Sequence, residues 1–237
     1  GDLLEFTGDA LLVLFPEDKH KKDDIVKAVR AGLRMQRAMS HFDQIETPQG
    51  NLHLGMRIGL HTGKFLAADV GTPRRMEHVL LGSAVQRAKL AESAGQVGKV
   101  CLSEAAFERV KENFLFEDHH SKDGKHKYKL VVDNFSEEDL GEYEISSSTR
   151  RRLSNPLLID RSVAGLIAEI TKMLDSIEPL ASFLPSPVLN LLVESAAKRH
   201  ISPDFPAPTV IFVNLVGLPE LVDRALPGQE LKIINTL

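Results

Sequence analysis

Cysteine is almost missing from these 237 residues: Cys101 stands alone. One thiol excludes an intramolecular disulfide framework and any thiolate zinc cluster, and it suits a reducing compartment. Long apolar runs are missing too, so no stretch has the length of a membrane span. A charge excess is also lacking. With 29 Lys and Arg against 33 Asp and Glu, net −4, the chain has no global field to gather nucleic acid or an anionic membrane. The opening Gly1-Asp2-Leu3-Leu4-Glu5-Phe6 carries neither an initiator methionine nor a basic leader, and it reads as cut into an element already under way. What is present is a globular composition, 43% hydrophobic, long enough for one domain plus an extension or for two small domains.

Leu11 to Phe15 is a continuous apolar run ended by Pro16, which suits a strand covered on both faces. Thr7-Gly8-Asp9 ahead of it is a turn signal, so Leu3 to Phe15 is expected as a hairpin with Asp9 near its bend. From Asp24 to Phe42, Ile25, Val29, Leu33 and Gln36 alternate with Lys27, Arg30, Arg34 and Arg37 at the period of an amphipathic helix. The basic stripe is the solvated face of that helix. Met56 to His61 alternates as a strand, Ala84 to Ala94 is helical, and Lys99 to Leu102 is a short strand. Ser103 caps a further helix to about Phe114, and Tyr128 to Val132 adds a late strand before the acidic, serine-rich Asp133 to Ser148. Alternating strands and helices indicate α/β or α+β architecture. Val163, Ile167, Ile170 and Leu174 give helical periodicity within Pro156 to His200, a connector interrupted at Pro179, Pro185 and Pro187. Beyond Pro208, Thr209 to Gly217 is expected as a new buried strand.

Three stretches resemble the class III adenylyl and guanylyl cyclase catalytic domain. They are Glu5-Phe6-Thr7-Gly8-Asp9-Ala10-Leu11-Leu12; Met56 to Gly63 with Asp69-Val70-Gly71; and Arg75-Met76-Glu77-His78-Val79-Leu80-Leu81-Gly82-Ser83-Ala84-Val85, closed by Leu102-Ser103-Glu104. Each is a modest signal, and their order and spacing make the set specific. The resemblance covers roughly Leu3 to Tyr143 and resumes at Thr209 to Gly217, which looks like the first strand of a second such domain. It implies an α+β, ferredoxin-like domain with a mixed or antiparallel sheet and flanking helices, incomplete at its N-terminus. The implied limits are residues 1–145 for the first cyclase domain, 146–207 for a mostly helical linker and 208–237 for the start of the second domain. A tandem of this kind resembles the soluble adenylyl cyclases, in which the first domain supplies metal ligands and the second supplies base-reading and transition-state residues. Gln86 and Leu90 fit that division, since they stand where the family pattern has asparagine and arginine. Asn214 fits it too, standing where a metal-holding first domain has its first aspartate.

The resemblance implies that Asp9 is a ligand of Mg²⁺ or Mn²⁺ in an enzyme that turns ATP into cyclic AMP and pyrophosphate. Two hard cations held by carboxylates would activate the ribose 3′ oxygen and neutralise the phosphates. The other carboxylate is expected upstream of Gly1, so the 237 residues alone are expected to be inactive. The bland alternative for Asp9 is a turn carboxylate accepting backbone hydrogen bonds. Glu5 stands at the family's purine-reading position, where glutamate accepts from guanine and lysine serves adenine. In a tandem enzyme this copy faces a degenerate pseudo-site, together with Val79 and Lys89. That region resembles a bicarbonate site, which Glu5 disfavours by its like charge. A plain Glu5 to Lys89 salt bridge is the other reading.

His61, His78, His119 and His120 lack partners at metal-ligand spacing and are expected as strand or loop histidines. Arg151-Arg152-Leu153-Ser154 resembles a basophilic kinase site, or is a solvated linker. The expected partners are ATP and the second cyclase domain of the same chain, in the cytoplasm, with no nucleic acid and no membrane span. The competing functions are a guanylyl cyclase using GTP, a cyclase-like domain that regulates without catalysis, and a helical scaffold over residues 156–202.

Overall fold

A computed structural model describes residues 1–17, 23–42, 44–48, 50–140, 162–195, 209, 211, 215–225, 228, 229 and 232. The contacts divide the chain into two compact units, Gly1–Phe65 with Gly82–Glu142, and Leu66–Leu81 with Tyr143–Leu237.

The first unit is built on a four-stranded mixed sheet. Its strands are β5 (Ile58–Leu60), β8 (Val100–Ser103), β9 (Leu115–His120) and β10 (Lys127–Val132), in the order β5-β8-β10-β9. β5 and β8 are parallel, while β10 is antiparallel to both of its neighbours. Val100, Cys101 and Leu102 have no exposed surface, which fits an interior strand covered on both faces. Burying a valine or leucine side chain of that size stabilises by about 1.5–3 kcal/mol.

Three helices cover this strand. The first, α1 (Asp24–Met39), buries Ile25, Val29 and Leu33 on its apolar face, continues through a 3-10 turn at Ser40–Phe42, and confirms the expected helix. Gln36, the last member of the stripe, donates to the carbonyls of Met56 and Lys99 at 3.1 and 2.9 Å, joining α1 to the strand ends. Arg37, placed by its spacing on the solvated side, forms a bidentate pair with Asp133 at 2.7 and 2.6 Å and also donates to the Phe135 carbonyl. That guanidinium holds the Asp133 carboxyl below its usual range.

The second helix, α2 (Ser83–Ala94), lies against β5 at backbone contact. A Cβ on Gly59 would come within 2.0 Å of the Glu92 nitrogen. Helix α3 (Glu104–Val110) starts at the expected cap, where Ser103 Oγ accepts from the Ala106 amide at 3.4 Å. It stops at Val110, short of Phe114, because the chain turns there and the Asn113 amide bonds the Val110 carbonyl at 2.9 Å. Phe114 turns into the core instead, edge-on to Phe116 and Phe135.

The expected N-terminal hairpin forms, with β1 (Asp2–Thr7) antiparallel to β2 (Ala10–Leu14). The expectation that Leu11 to Phe15 is covered on both faces is corrected: Leu11 is 49% and Val13 37% exposed. The ribbon has two strands only, and two strands cannot bury both of their faces. A second small ribbon joins β3 (Ile45–Thr47) to β4 (Gly50–Leu52).

The second unit contains the antiparallel hairpin β6 (Leu66–Thr72) and β7 (Arg75–Leu81), and helices α4 (Val163–Ala181), α5 (Ser186–Ser195) and α6 (Leu218–Asp223). The hairpin turn grips the end of α4: the Met76 amide donates to the Ser182 carbonyl at 2.8 Å, and Arg75 Nη1 donates to the Phe183 carbonyl at 3.1 Å. Helices thus form within Pro156 to His200, with a break at Pro185, but the expected interruptions at Pro179 and Pro187 are corrected: Pro179 lies inside α4 and Pro187 in the first turn of α5, where a missing amide hydrogen costs no helical bond. Of the expected strand from Thr209 to Gly217, the described residues Thr209, Ile211 and Leu215–Gly217 form no strand, and Ile211 and Val216 are 82% and 92% exposed. Gly217, with φ of 88°, instead turns the chain into α6. The remainder of that stretch, with Asn214, and the Arg151 to Ser154 string lie outside the described residues.

Gly59→Ala tests the packing of α2 on β5. A methyl cannot fit against backbone, so the variant should lose about 3 kcal/mol or more, the upper range for overpacking, in urea unfolding. Unchanged stability would refute the contact.

Candidate active site

Asp9 occupies the tip of the β1–β2 hairpin, next to Gly8, between the paired residues Thr7 and Ala10. Gly8 has φ of 66°, the left-handed conformation that glycine adopts freely and that brings the strand back over two residues. The Asp9 carboxylate is exposed and, among the described residues, makes no hydrogen bond or ion pair. The turn-residue alternative, a carboxylate spent on backbone amides, is not realised. An exposed carboxylate without such partners suits a hard cation. The described residues contain no group of three His, Cys, Asp or Glu side chains able to hold a metal.

Glu5 is exposed on β1, opposite Leu12, and Lys89 is exposed on α2. No ion pair joins them, so the salt-bridge reading of that pair fails. Val79, half-buried on β7, belongs to the other compact unit. Gln86 and Leu90 are exposed on α2.

The histidines behave as expected for strand and loop positions. His78 and Asp69 face each other across β6 and β7, with Nδ1 to Oδ1 at 2.7 Å. His119 Nε2 lies 2.7 Å from the Ala94 carbonyl. A shallow polar hollow of about 270 Å³ is walled by Glu104, His120, Lys127 and the Lys129–Asp118 ion pair, and it contains neither Asp9 nor Glu5.

The more ordered polar cluster lies where the Met56 to Gly63 motif ends. Arg109 on α3 donates to Thr62 Oγ1 at 2.8 Å and to Asp24 Oδ1 at 2.7 Å. Asp24 opens α1 and is 8% exposed, so its charge is compensated by this guanidinium. Beside Thr62, His61 Nδ1 is 2.8 Å from Ser103 Oγ. Ser103 Oγ already accepts the Ala106 amide, so its proton is free to go to a neutral imidazole. Burial, and then the nearby Arg87 charge, push the His61 pKa down, in agreement with a neutral ring. Sequence spacing pointed to Thr62 and Ser103 separately. The link of Thr62 through Arg109 to Asp24, and that of Ser103 to His61, had no local signal, because the partners are 42 to 85 residues apart. Strand β9 did have a signal that went unread: Asp123-Gly124, with Gly124 at φ of 68°, is a hairpin turn leading into β10. Cys101 is fully buried, and burial pushes its thiol to about 12, which leaves it inert.

Residues 3–132, more than half of the chain, match the family model of the adenylate and guanylate cyclase catalytic domain. The chain belongs to that family, whose domain is α+β. It is 35% identical over 92 residues to the terminal-differentiation specific adenylate cyclase of Dictyostelium discoideum, covering 39% of this chain and 4% of that protein. It is 33% identical over 104 residues to adenylate cyclase type 10 of Rattus norvegicus, covering 44% and 6%. The chain thus spans a small part of the curated relatives it matches. Among solved structures, the adenylyl cyclase CyaB from P. aeruginosa is similar at 27% identity and a TM-score of 0.47, over 60% of this chain and 75% of that one.

The lowered His61 pKa sets a pH dependence. The unfolded chain takes up the proton at the ordinary value near 6.5, before the folded chain does. His61 therefore contributes its stability fully above about pH 6.5 and loses it as pH falls through the lower folded value. His61→Asn keeps an acceptor for Ser103 and removes the titration. The urea midpoint of the parent should drop more between pH 7.5 and 5.5 than that of the variant, and equal drops would refute the assignment.

Proposed function

We propose that this chain is the metal-holding first cyclase domain, helical linker and opening of the second cyclase domain of a cytoplasmic tandem enzyme that converts ATP to cyclic AMP. Its domain limits are residues 1–145, 146–207 and 208–237. The observation that carries the catalytic part is the free Asp9 carboxylate at the tip of the β1–β2 hairpin. In the reaction the ribose 3′ oxygen loses its proton and bonds the α-phosphorus, and the bond from that phosphorus to the β-phosphate oxygen breaks to release pyrophosphate. Bound Mg²⁺ or Mn²⁺ supplies charge neutralisation on the phosphates and lowers the cost of the alkoxide.

Asp9 holds one side of that site from a rigid two-residue turn. The family resemblance assigns the second carboxylate to a strand ahead of Gly1, and among the described residues no group of three His, Cys, Asp or Glu side chains offers a complete metal site in its place. Gln86 and Leu90 stand where the family pattern has asparagine and arginine, which supports assigning base reading and transition-state stabilisation to the second domain. Glu5, Val79 and Lys89 then belong to the degenerate pseudo-site, and the Glu5 charge disfavours bicarbonate there. Among the described residues no helix is long and apolar enough to cross a membrane.

GTP is the second reading, and Glu5 favours it: an exposed carboxylate without a protein partner accepts from the guanine N1–H and amino group. The test is an assay of the longer protein that contains this chain, with ATP and GTP separately. ATP should be preferred, and Asp9→Asn should lower the rate by about 100-fold or more, the scale of losing a charge-stabilising group. A clear preference for GTP overturns the substrate assignment, and an unaffected Asp9→Asn rate overturns the metal role. The 237 residues alone should form no cyclic nucleotide.

A further inference from the structure

Helix α4 is anchored at one end and bare along its length. Its C-terminal corner is held by Met76 and Arg75 on the carbonyls of Ser182 and Phe183, and Ser182 is 5% exposed. Before that corner, Val163, Leu166, Ile167, Ile170, Met173, Leu174, Ile177 and Leu180 are all between 45% and 75% exposed. These positions recur at intervals of three and four over all 19 residues of the helix. Three- and four-residue steps average 3.5, the spacing that keeps one seam facing a neighbouring helix through successive turns. A sheet or a loop imposes no such period.

The exposed area is also of the right size. Eight side chains at this exposure present on the order of 800 Å², the area per partner of a specific interface and more than the largest patch on an ordinary monomer. The seam carries no charge. The four charged residues of α4, Glu169, Lys172, Asp175 and Glu178, stand between the seam positions, so two copies can meet along it without a charge in the seam itself. Among the described residues nothing covers the seam. Helix α5, with 10 residues, spans about half the length that α4 presents. Most helical stability in proteins comes from packing an apolar face, and α4 has none of that packing from the described residues.

We propose that α4 is a self-association element: two copies of this chain pair through their α4 seams, each presenting the same stripe of about 28 Å, as 1.5 Å per residue gives. A second copy is the partner whose length, period and lack of charge match the stripe along its whole extent. The proposal does not depend on the assignment of substrate or metal.

The experiment measures association of the 237-residue chain by sedimentation. The parent should be dimeric at tens of micromolar, and Ile170→Glu with Ile177→Glu should weaken dimerisation at least tenfold. Both side chains are exposed in the protomer, so circular dichroism and the unfolding midpoint should stay unchanged. As a positional check, Ile170→Cys on the seam should give disulfide-linked dimers under mild oxidation, while Ala168→Cys on the other side of the helix should give few. Cys101 is buried and does not interfere. A parent that stays monomeric, a double variant that dimerises like the parent, or equal cross-linking at positions 168 and 170 would each overturn the proposal. A monomer would mean that a different chain or segment covers the seam.

Discussion

The burial of one short strand organises the first unit. Val100 to Ser103 is covered on both faces, paired with β5 on one side and β10 on the other, and α1, α2 and α3 all pack around it. That closeness depends on Gly59, whose missing side chain lets the α2 backbone at Ala91 and Glu92 press onto β5. With a methyl there α2 would have to retreat, and the turn into α2 at Gly82 and the helix surface carrying Gln86, Lys89 and Leu90 would move with it. A polar tie adds to the apolar one. Asp24 at the start of α1 is held by Arg109 of α3, and Arg109 also holds Thr62 just beyond β5. An ion pair so little exposed loses its water on folding, and its benefit lies in fixing where these three segments meet.

The two compact units differ in character. The first has a continuous apolar core running from Ile25 to Leu140. The second depends on local bonds: the β6–β7 ladder, and the backbone and arginine contacts that seize the end of α4. Its helices expose apolar residues that the first unit's helices bury. Such a surface is costly in water and marks a segment that takes a partner. Most of the stretch that matches the cyclase family thus carries its own core, while its β6–β7 hairpin falls in the second unit with the helices that present a surface.

Much of the first unit was legible in the sequence because its signals are local. A turn signal at Gly8-Asp9, a 3.6-residue stripe from Ile25 to Gln36, and a serine before Glu104 each act within a few residues, and all three elements formed as expected. Strand β9 was overlooked although Asp123-Gly124 announced its turn, because Glu117, Asp118 and the two histidines hide its alternation. The coverage of Leu11 and Val13 was misjudged for a different reason. An apolar run states a capacity for burial, and whether another layer arrives depends on elements elsewhere in the chain.

The sequence by itself determined the family, through motifs whose order and spacing survive any detail of packing, and it singled out Asp9 at a hairpin bend. Only the tertiary structure showed that Asp9 is left without a protein partner, that Glu5 and Lys89 do not pair, and that Thr62, Asp24 and Arg109 meet. The reason is range. Turns, caps and helix periods come from neighbouring residues, whereas a hydrogen bond between residues 47 positions apart, an ion pair between residues 85 apart, and the exposure of a helix face are set by which surfaces the folded chain brings together.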